Sequence, residues 1–276
     1  MLNPEWIHFL RHEESVIVQG LIIQHAKKNK ETIKILEIGS GDGYMASKLI
    51  SSGFNVTSIE PVPRQPVYVP LIQSFSDRLP FPNNQFDLVF SSNVLEHVEE
   101  LPTSFREMRR VLAEDGIMIH SMPSVACSLL TTTTAPLIYP RNLYLLFTGY
   151  FFKKADLKRP FQIHRLKIFN HSQTTIKLTR IILITLTRLN PLSIFRTVGH
   201  GTARSPIHEL TEWRVQHWID IFKENGIVII DITKHPIAAS MNKLIGKHFL
   251  KARSLLAKKG LHVDNIYITT FSRKRG

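Results

Sequence analysis

Ile35 to Gly43 reads Ile-Leu-Glu-Ile-Gly-Ser-Gly-Asp-Gly, and the fold is decided here. Residues of strand character run into glycines at alternate positions. From Tyr44 onward Met45, Ala46, Leu49 and Ile50 share one side of a helix. Strand, tight turn and helix thus follow one another without a gap. Gly39, Gly41 and Gly43 carry no Cβ and can take positive φ, so a ligand can lie against bare backbone with the loop amides facing it. Two ligand classes compete. A dinucleotide fingerprint needs G-x-G-x-x-G with glycine or alanine in the last place, where this chain has Tyr44. Glu37, just ahead of Gly39, repels a pyrophosphate and attracts an ammonium or sulfonium ion. The stretch therefore favours a cationic nucleoside over a diphosphate and disfavours a nicotinamide-dependent oxidoreductase. A catalytically silent nucleoside-binding module stays open.

Working outward, Val16, Ile17, Leu21, Ile22 and Ala26 recur at helical spacing over 13–28, a helix expected to cover the sheet. Phe54 to Ile59 reads as a second strand closing on Glu60, whose carboxylate offers two acceptor oxygens to the neighbouring hydroxyls of a ribose. Pro61, Pro63, Pro66 and Pro70 shorten or remove the helix expected next. Phe86 to Phe90 is the fourth strand, running into Ser91, Ser92 and Asn93, and strand ends of an open parallel sheet are where ligands bind. A helix over 101–112 and a fifth strand over 117–120 follow. The chain then departs from a minimal plan until a helix over 212–225, a sixth strand over 227–232 and a seventh over 265–273. The expected architecture is a doubly wound, seven-stranded, mostly parallel α/β sheet carried by 1–123 and 209–276, with a long insertion, 124–208, after strand five.

The glycine loop resembles the first motif of the class I S-adenosylmethionine (SAM) dependent methyltransferases, in which an acidic residue precedes G-x-G-x-G. Gln73-Ser-Phe-Ser-Asp-Arg-Leu-Pro-Phe-Pro82 followed by Gln85-Phe-Asp-Leu-Val-Phe-Ser-Ser-Asn-Val-Leu-Glu-His-Val98 is similar to the adenine-binding turn and fourth strand of the type 11 group. That group includes the ubiquinone and menaquinone biosynthesis methyltransferases. The resemblance implies SAM as cofactor, held by Glu37, Gly39, Ser40, Gly41 and Gly43, by Glu60, by Ser76, Asp77 and Leu79, and by Ser92 and Asn93. Phe75 stands where the group commonly has an acidic or amide residue for the adenine amino group. Either Asp77 takes that task from a shifted register, or Phe75 stacks on the base while backbone groups read its edge. His97, with an unperturbed pKa of about 6.5, is a candidate base for an acceptor hydroxyl, and His200 and His208, beside Glu209, are its rivals. No ligand spacing resembles a metal cage.

The net charge of +13 is unevenly divided. Residues 1–123 and 209–233 hold 13 Lys and Arg against 20 Asp and Glu, a net −7. Residues 124–208 hold 12 against 1, a net +11, and 234–276 hold 10 against 1, a net +9. Basicity confined to added elements suits an anionic partner. In the insertion, Tyr139, Tyr144, Phe147, Tyr150 and Phe161 alternate with Arg141, Lys153, Lys154 and Arg159, which suits a lipid-linked or phosphorylated saccharide, an acidic small molecule or, less well, RNA. On a helical wheel Lys177, Arg180 and Arg188 share one narrow arc of 175–189, giving a face able to contact an anionic membrane. A single cysteine, Cys127, excludes a disulfide framework within the chain. Charged residues break up the apolar N-terminal stretch, and no run reaches the length of a membrane span, so a cytoplasmic methyltransferase is expected, at most peripheral to the inner membrane face.

Overall fold

The structure is a computed structural model that describes residues 4–134, 202–203, 206–237 and 249–272. In chain order these form α1 (Pro4–His25), β1 (Lys34–Ile38), α2 (Tyr44–Ser51), β2 (Asn55–Ile59), β3 (Phe86–Ser92), a 3-10 turn (Leu95–His97), α3 (Leu101–Val111) and β4 (Leu112–Pro123). After these come α4 (Val125–Thr134), α5 (Pro206–Glu212), α6 (Val215–Glu224), β5 (Ile227–Lys234), α7 (Leu250–Lys258) and β6 (Asp264–Phe271). The strands form one sheet in the order β2-β1-β3-β4-β6-β5. β2, β1, β3 and β4 pair in parallel, and β6 runs antiparallel between β4 and β5.

The sheet is of the expected class, and among the described residues it has six strands where seven were expected. What should be the third strand is reduced to one parallel bridge, Ile59 to Ile72, beyond the β2 edge. The prolines explain this: with no amide hydrogen at 61, 63, 66 and 70, the segment cannot sustain a ladder. The expected helix between second and third strands is indeed absent. α1 begins well before residue 13, and β4 extends on both sides of 117–120.

Strand side chains alternate between two cores. Leu36, Val89, Met118 and Tyr267 face Phe105 and Met108 of α3 and Trp218 and Phe222 of α6. Ile35, Leu88, Phe90, Ile117, Ile119 and Ile268 face Val18 and Ile22 of α1 and Met45 and Leu49 of α2. Covering both faces leaves the strands' carboxyl ends as the open edge. No described helix is long and apolar enough to cross a membrane.

Of the insertion, only its ends are described. α4 packs on α5, and the Ser128 hydroxyl donates to the buried Glu209 carboxylate at 2.6 Å, so the segment leaves and returns at one place. Lys177, Arg180, Arg188, His200 and the aromatic residues named above lie outside the described residues.

Candidate functional site

The glycine loop adopts the backbone its composition suggests. Gly39, Gly41 and Gly43 take φ of 72°, 64° and 76°. At Gly39 the need for glycine is steric as well, since a Cβ there would stand 2.4 Å from Cγ2 of Val94. The expectation that the amides face a ligand is corrected. Gly39 and Ser40 donate to the Ile59 carbonyl at 2.9 and 3.1 Å, Gly43 to the Ser40 carbonyl at 2.9 Å, and Gly41 to Glu60 Oε2 at 2.9 Å. The amides of Gly39, Ser40 and Gly41 tie the loop to the end of β2, and the Gly43 amide closes the loop on itself.

Two clamps hold this loop from outside. His8 of α1 stacks on Tyr44 with centroids 4.2 Å apart and meets Asp42 Oδ2 at 3.0 Å, while Tyr68 sits edge-on to both rings. The proline-rich segment adds backbone bonds, Arg64 to the Gly41 carbonyl and Tyr68 to the Asp42 carbonyl. Beneath the loop Glu37 is buried and accepts from the Ser40 and Ser58 hydroxyls at 2.6 and 3.0 Å, and burial pushes its carboxyl up to about 7. Glu37 thus braces the loop from below.

A cavity of about 560 Å³ opens beside the loop, within the range of small-molecule sites. Its walls include Gly39, Glu60, Phe75, Ser76, Asp77, Asn93 and His97, whereas Glu37, Ser40, Gly41, Gly43 and Ser92, also singled out from sequence, are not among the lining residues. The Glu60 carboxylate is pinned by the amides of Gly41 and Val62, at 2.9 and 3.1 Å, leaving each oxygen a further lone pair for a hydroxyl donor. Asn93 holds a left-handed φ of 52° at the end of β3, with its amide on the Ser121 carbonyl. The 73–82 turn is fastened from α3, where Arg110 donates to the carbonyls of Leu79 and Phe81 and Glu107 accepts the Leu79 amide. Leu79 is buried in the core and does not line the cavity. His208 is exposed on α5, and His200 lies outside the described residues.

Sequence reading missed a second group of residues, at the strand ends beneath α1. Arg11 Nη1 donates to Glu14 Oε2 at 2.6 Å and to the Ser92 hydroxyl, which itself donates to Glu14 Oε1 at 2.6 Å. Asn93 donates to Asp264 at the start of β6. Burial works against the Glu14 charge, yet Arg11, Ser92 and His235 hold it below the ordinary carboxylate range, whereas burial and the Glu14 charge push Asp264 up. The 3-10 turn swings Glu96 inward and leaves His97 half exposed, with Nε2 3.9 Å from Glu96 Oε1. Among the described residues neither carboxyl oxygen of Glu96 accepts a hydrogen bond from another residue, and burial raises its pKa to about 8. A signal was present: Arg11, Glu14, Val18 and Ile22 recur at helical spacing, which places the two charges on the apolar face.

A family model described as a methyltransferase domain matches residues 9–167. The chain belongs to the methyltransferase-domain family. A methyltransferase of Mycobacterium leprae, uncharacterized by name, is 33% identical over 96 residues, 32% of this chain and 36% of that protein. Malonyl-[acyl-carrier protein] O-methyltransferase of Halorhodospira halophila is 24% identical over 127 residues, 40% of this chain and 43% of the relative. The chain therefore spans about two-fifths or less of these curated relatives' length. A solved chain from the complex of the Haloferax volcanii Trm112 methyltransferase activator with its companion protein superposes with a TM-score of 0.50 at 9% identity, covering 100% of both chains, which bears on fold alone.

The family's cofactor is SAM, and the residues present fit it. Gly39 borders the cavity, the pinned Glu60 carboxylate can take ribose hydroxyls, and Phe75, with 66% of its surface exposed, borders the same cavity as Asp77. Tyr44, where a dinucleotide site has its third small residue, is committed to His8 and to Lys48, whose Nζ lies 4.9 Å from the ring centroid.

Proposed function

We propose that this methyltransferase acts on a hydroxyl of a small-molecule, saccharide or lipid-linked acceptor that carries negative charge. The observation that carries the reading is the single cavity in which Glu60 and Phe75 to Asp77 stand beside Asn93 and His97, joining a nucleoside-binding end to the strand ends. When bound, SAM supplies a methyl group on sulfonium. The chain's own contribution is mainly alignment: Gly39 and Glu60 orient the nucleoside, and Asn93, locked by the Ser121 carbonyl, sets the wall where an acceptor enters. His97, lining that wall with a half-exposed ring, accepts the acceptor's proton and passes it to water.

The cavity rim bears Glu60, Asp77, Glu99 and Glu100 against Arg64, so the reacting group enters an acidic mouth. The net +11 of residues 124–208 then suits the anionic remainder of the acceptor, or a membrane face carrying it.

The test is transfer of label from methyl-labelled SAM into separated lipid, saccharide and RNA fractions of a cell extract. Label is expected in the lipid or saccharide fraction, and His97→Gln should lower it by about 10²-fold with SAM affinity unchanged. Label in RNA alone overturns the acceptor class, and no label in any fraction overturns the methyl-transfer reading.

A further inference from the structure

Between β5 and β6 the chain makes an excursion on the cavity side of the sheet. β5 ends at Lys234 opposite Asn265, and β6 begins at Asp264 opposite Pro123, the last residue of β4. Residues 235–263 therefore leave and return at the carboxyl ends of the parallel strands. Asn93, a wall of the cavity, donates to Asp264 at the foot of this excursion. Ser124, where the basic insertion begins, donates from its amide to the Val263 carbonyl and from its hydroxyl to the His262 carbonyl.

α7 is the described helix of that excursion, and its two faces differ. Arg253 and Ala257, four residues apart, are buried. Leu255, midway between them in the chain, points the opposite way and is 61% exposed. Lys251 and Lys259, four residues before and after it, extend the same outward stripe, and Lys258 flanks it; all three are exposed. Phe249, at the N-cap of α7, is 70% exposed and holds a left-handed φ of 59°. That backbone suits glycine or asparagine and strains a bulky side chain. Neither packing nor backbone preference thus accounts for an aromatic ring at 249, and packing does not account for a leucine at 255. Residues 249–259 contain no Asp or Glu, and among the described residues Lys251, Lys258 and Lys259 make no ion pair.

Bulky apolar side chains displayed among unpaired lysines call for a partner that offers hydrocarbon beneath a layer of negative charge. An anionic lipid surface has both: acyl chains take the ring and the leucine, and headgroups take the ammonium groups at the ends of their flexible stems. RNA would engage the lysines and leave Leu255 in water.

We propose that α7 docks the protein on an anionic bilayer, with Phe249 and Leu255 inserted and Lys251, Lys258 and Lys259 on the headgroups. This deepens the reading of an anionic partner given above by naming the surface that meets it. Docking needs no cofactor, so its failure leaves the methyl-transfer reading standing.

The test is sedimentation of the full chain, without SAM, with vesicles of phosphatidylcholine alone and of phosphatidylcholine mixed with phosphatidylglycerol. The unmodified protein should prefer the mixed vesicles by about 100-fold, and replacing Lys251, Lys258 and Lys259 together by Gln should remove most of that preference, at about 5-fold per lysine. Phe249→Asn combined with Leu255→Gln should weaken binding to the mixed vesicles by about 10-fold or more, through the lost apolar insertion. Because asparagine tolerates the left-handed backbone, the thermal transition of that variant should stay in place or rise. Should the doubly substituted chain lose its cooperative transition, Leu255→Gln alone carries the test, with a loss of about 10-fold. Equal binding of the unmodified chain to the two kinds of vesicle, binding to neither, or unchanged binding in the lysine variant or the apolar variant overturns the proposal. Loss of self-association in the apolar variant, with vesicle binding unchanged, also overturns it and assigns the face to a second copy of the chain.

Discussion

Around the glycine loop, donors and acceptors are matched almost one to one, whereas at the strand ends under α1 carboxyl groups are packed together with too few donors. Ile59, Ser40 and Glu60 take up the amides of 39, 40, 41, 43 and 62. By contrast the Glu96 carboxyl has no hydrogen bond from another residue among those described, and Asp264 and Glu96 are both pushed upward by burial and by neighbouring negative charge. A buried polar group without a partner costs stability. The first region is built to keep its shape, and the second holds buried carboxyl groups at a cost in stability.

The sharpest way to break the loop side of this contrast is Gly39→Val. It combines a positive φ of 72° with a Cβ 2.4 Å from Val94, and overpacking plus left-handed strain should cost about 3–5 kcal/mol in denaturant unfolding and abolish SAM binding. Gly41→Val separates the two causes. A Cβ there meets only Arg64, at 3.9 Å, so about 1–2 kcal/mol of backbone strain remains and SAM affinity should fall with the fold kept. Equal destabilisation by the two would mean that close approach to Val94 is not what glycine serves at 39.

The strand-end side is tested by pH. Glu96 has a folded pKa raised to about 8 from an ordinary value of 4.5, so its contribution is fully present below about pH 4.5 and is lost as pH rises to 8. Glu96→Gln does not titrate. Its stability relative to the unmodified chain should therefore grow by about 1.4 kcal/mol per pH unit across that window, or about 3 kcal/mol between pH 4.5 and 7, and level off above 8. A stability difference flat in pH would show that Glu96 finds partners and that the contrast is wrong.

Why one region was readable in the sequence and the other was not follows from how each is assembled. Gly39, Gly41, Gly43 and Glu60 are close in the chain, and their chemistry is expressed in backbone conformation and spacing, which a sequence displays directly. Arg11, Glu14, Glu96, His235 and Asp264 come together only when α1 is laid across β3 and β6 is inserted between β4 and β5. Singly, each looks like an ordinary surface charge, and Arg11 and Glu14 read as polar breaks in an apolar segment. The strand count failed for a different reason. Prolines announced the missing helix after β2, but whether Ile72 would make a ladder or a single bridge depends on partners 13 residues away, at Ile59. His97 and Glu96 are adjacent, and nothing local says which one the 3-10 turn directs inward.

Smaller effects sharpen the comparison further. Glu60→Ala frees the Gly41 and Val62 amides and removes the ribose acceptor, and should weaken SAM binding by about 10- to 100-fold, the range expected for hydrogen bonds to a charged group, with less effect on unfolding. His8→Ala removes the stack on Tyr44 and the contact with Asp42, and about 1 kcal/mol of stability should go with it, while SAM affinity shifts only slightly. A large loss of affinity in His8→Ala would make the outer clamp part of the binding surface itself.

The most direct measurement is a calorimetric titration of the unmodified chain and of Glu60→Ala with SAM, S-adenosylhomocysteine and NAD. The account predicts saturable one-to-one binding of both adenosyl compounds to the unmodified chain, clear weakening in Glu60→Ala, and no binding of NAD. Saturable NAD binding with silence towards SAM, or SAM affinity identical in the two proteins, would contradict it.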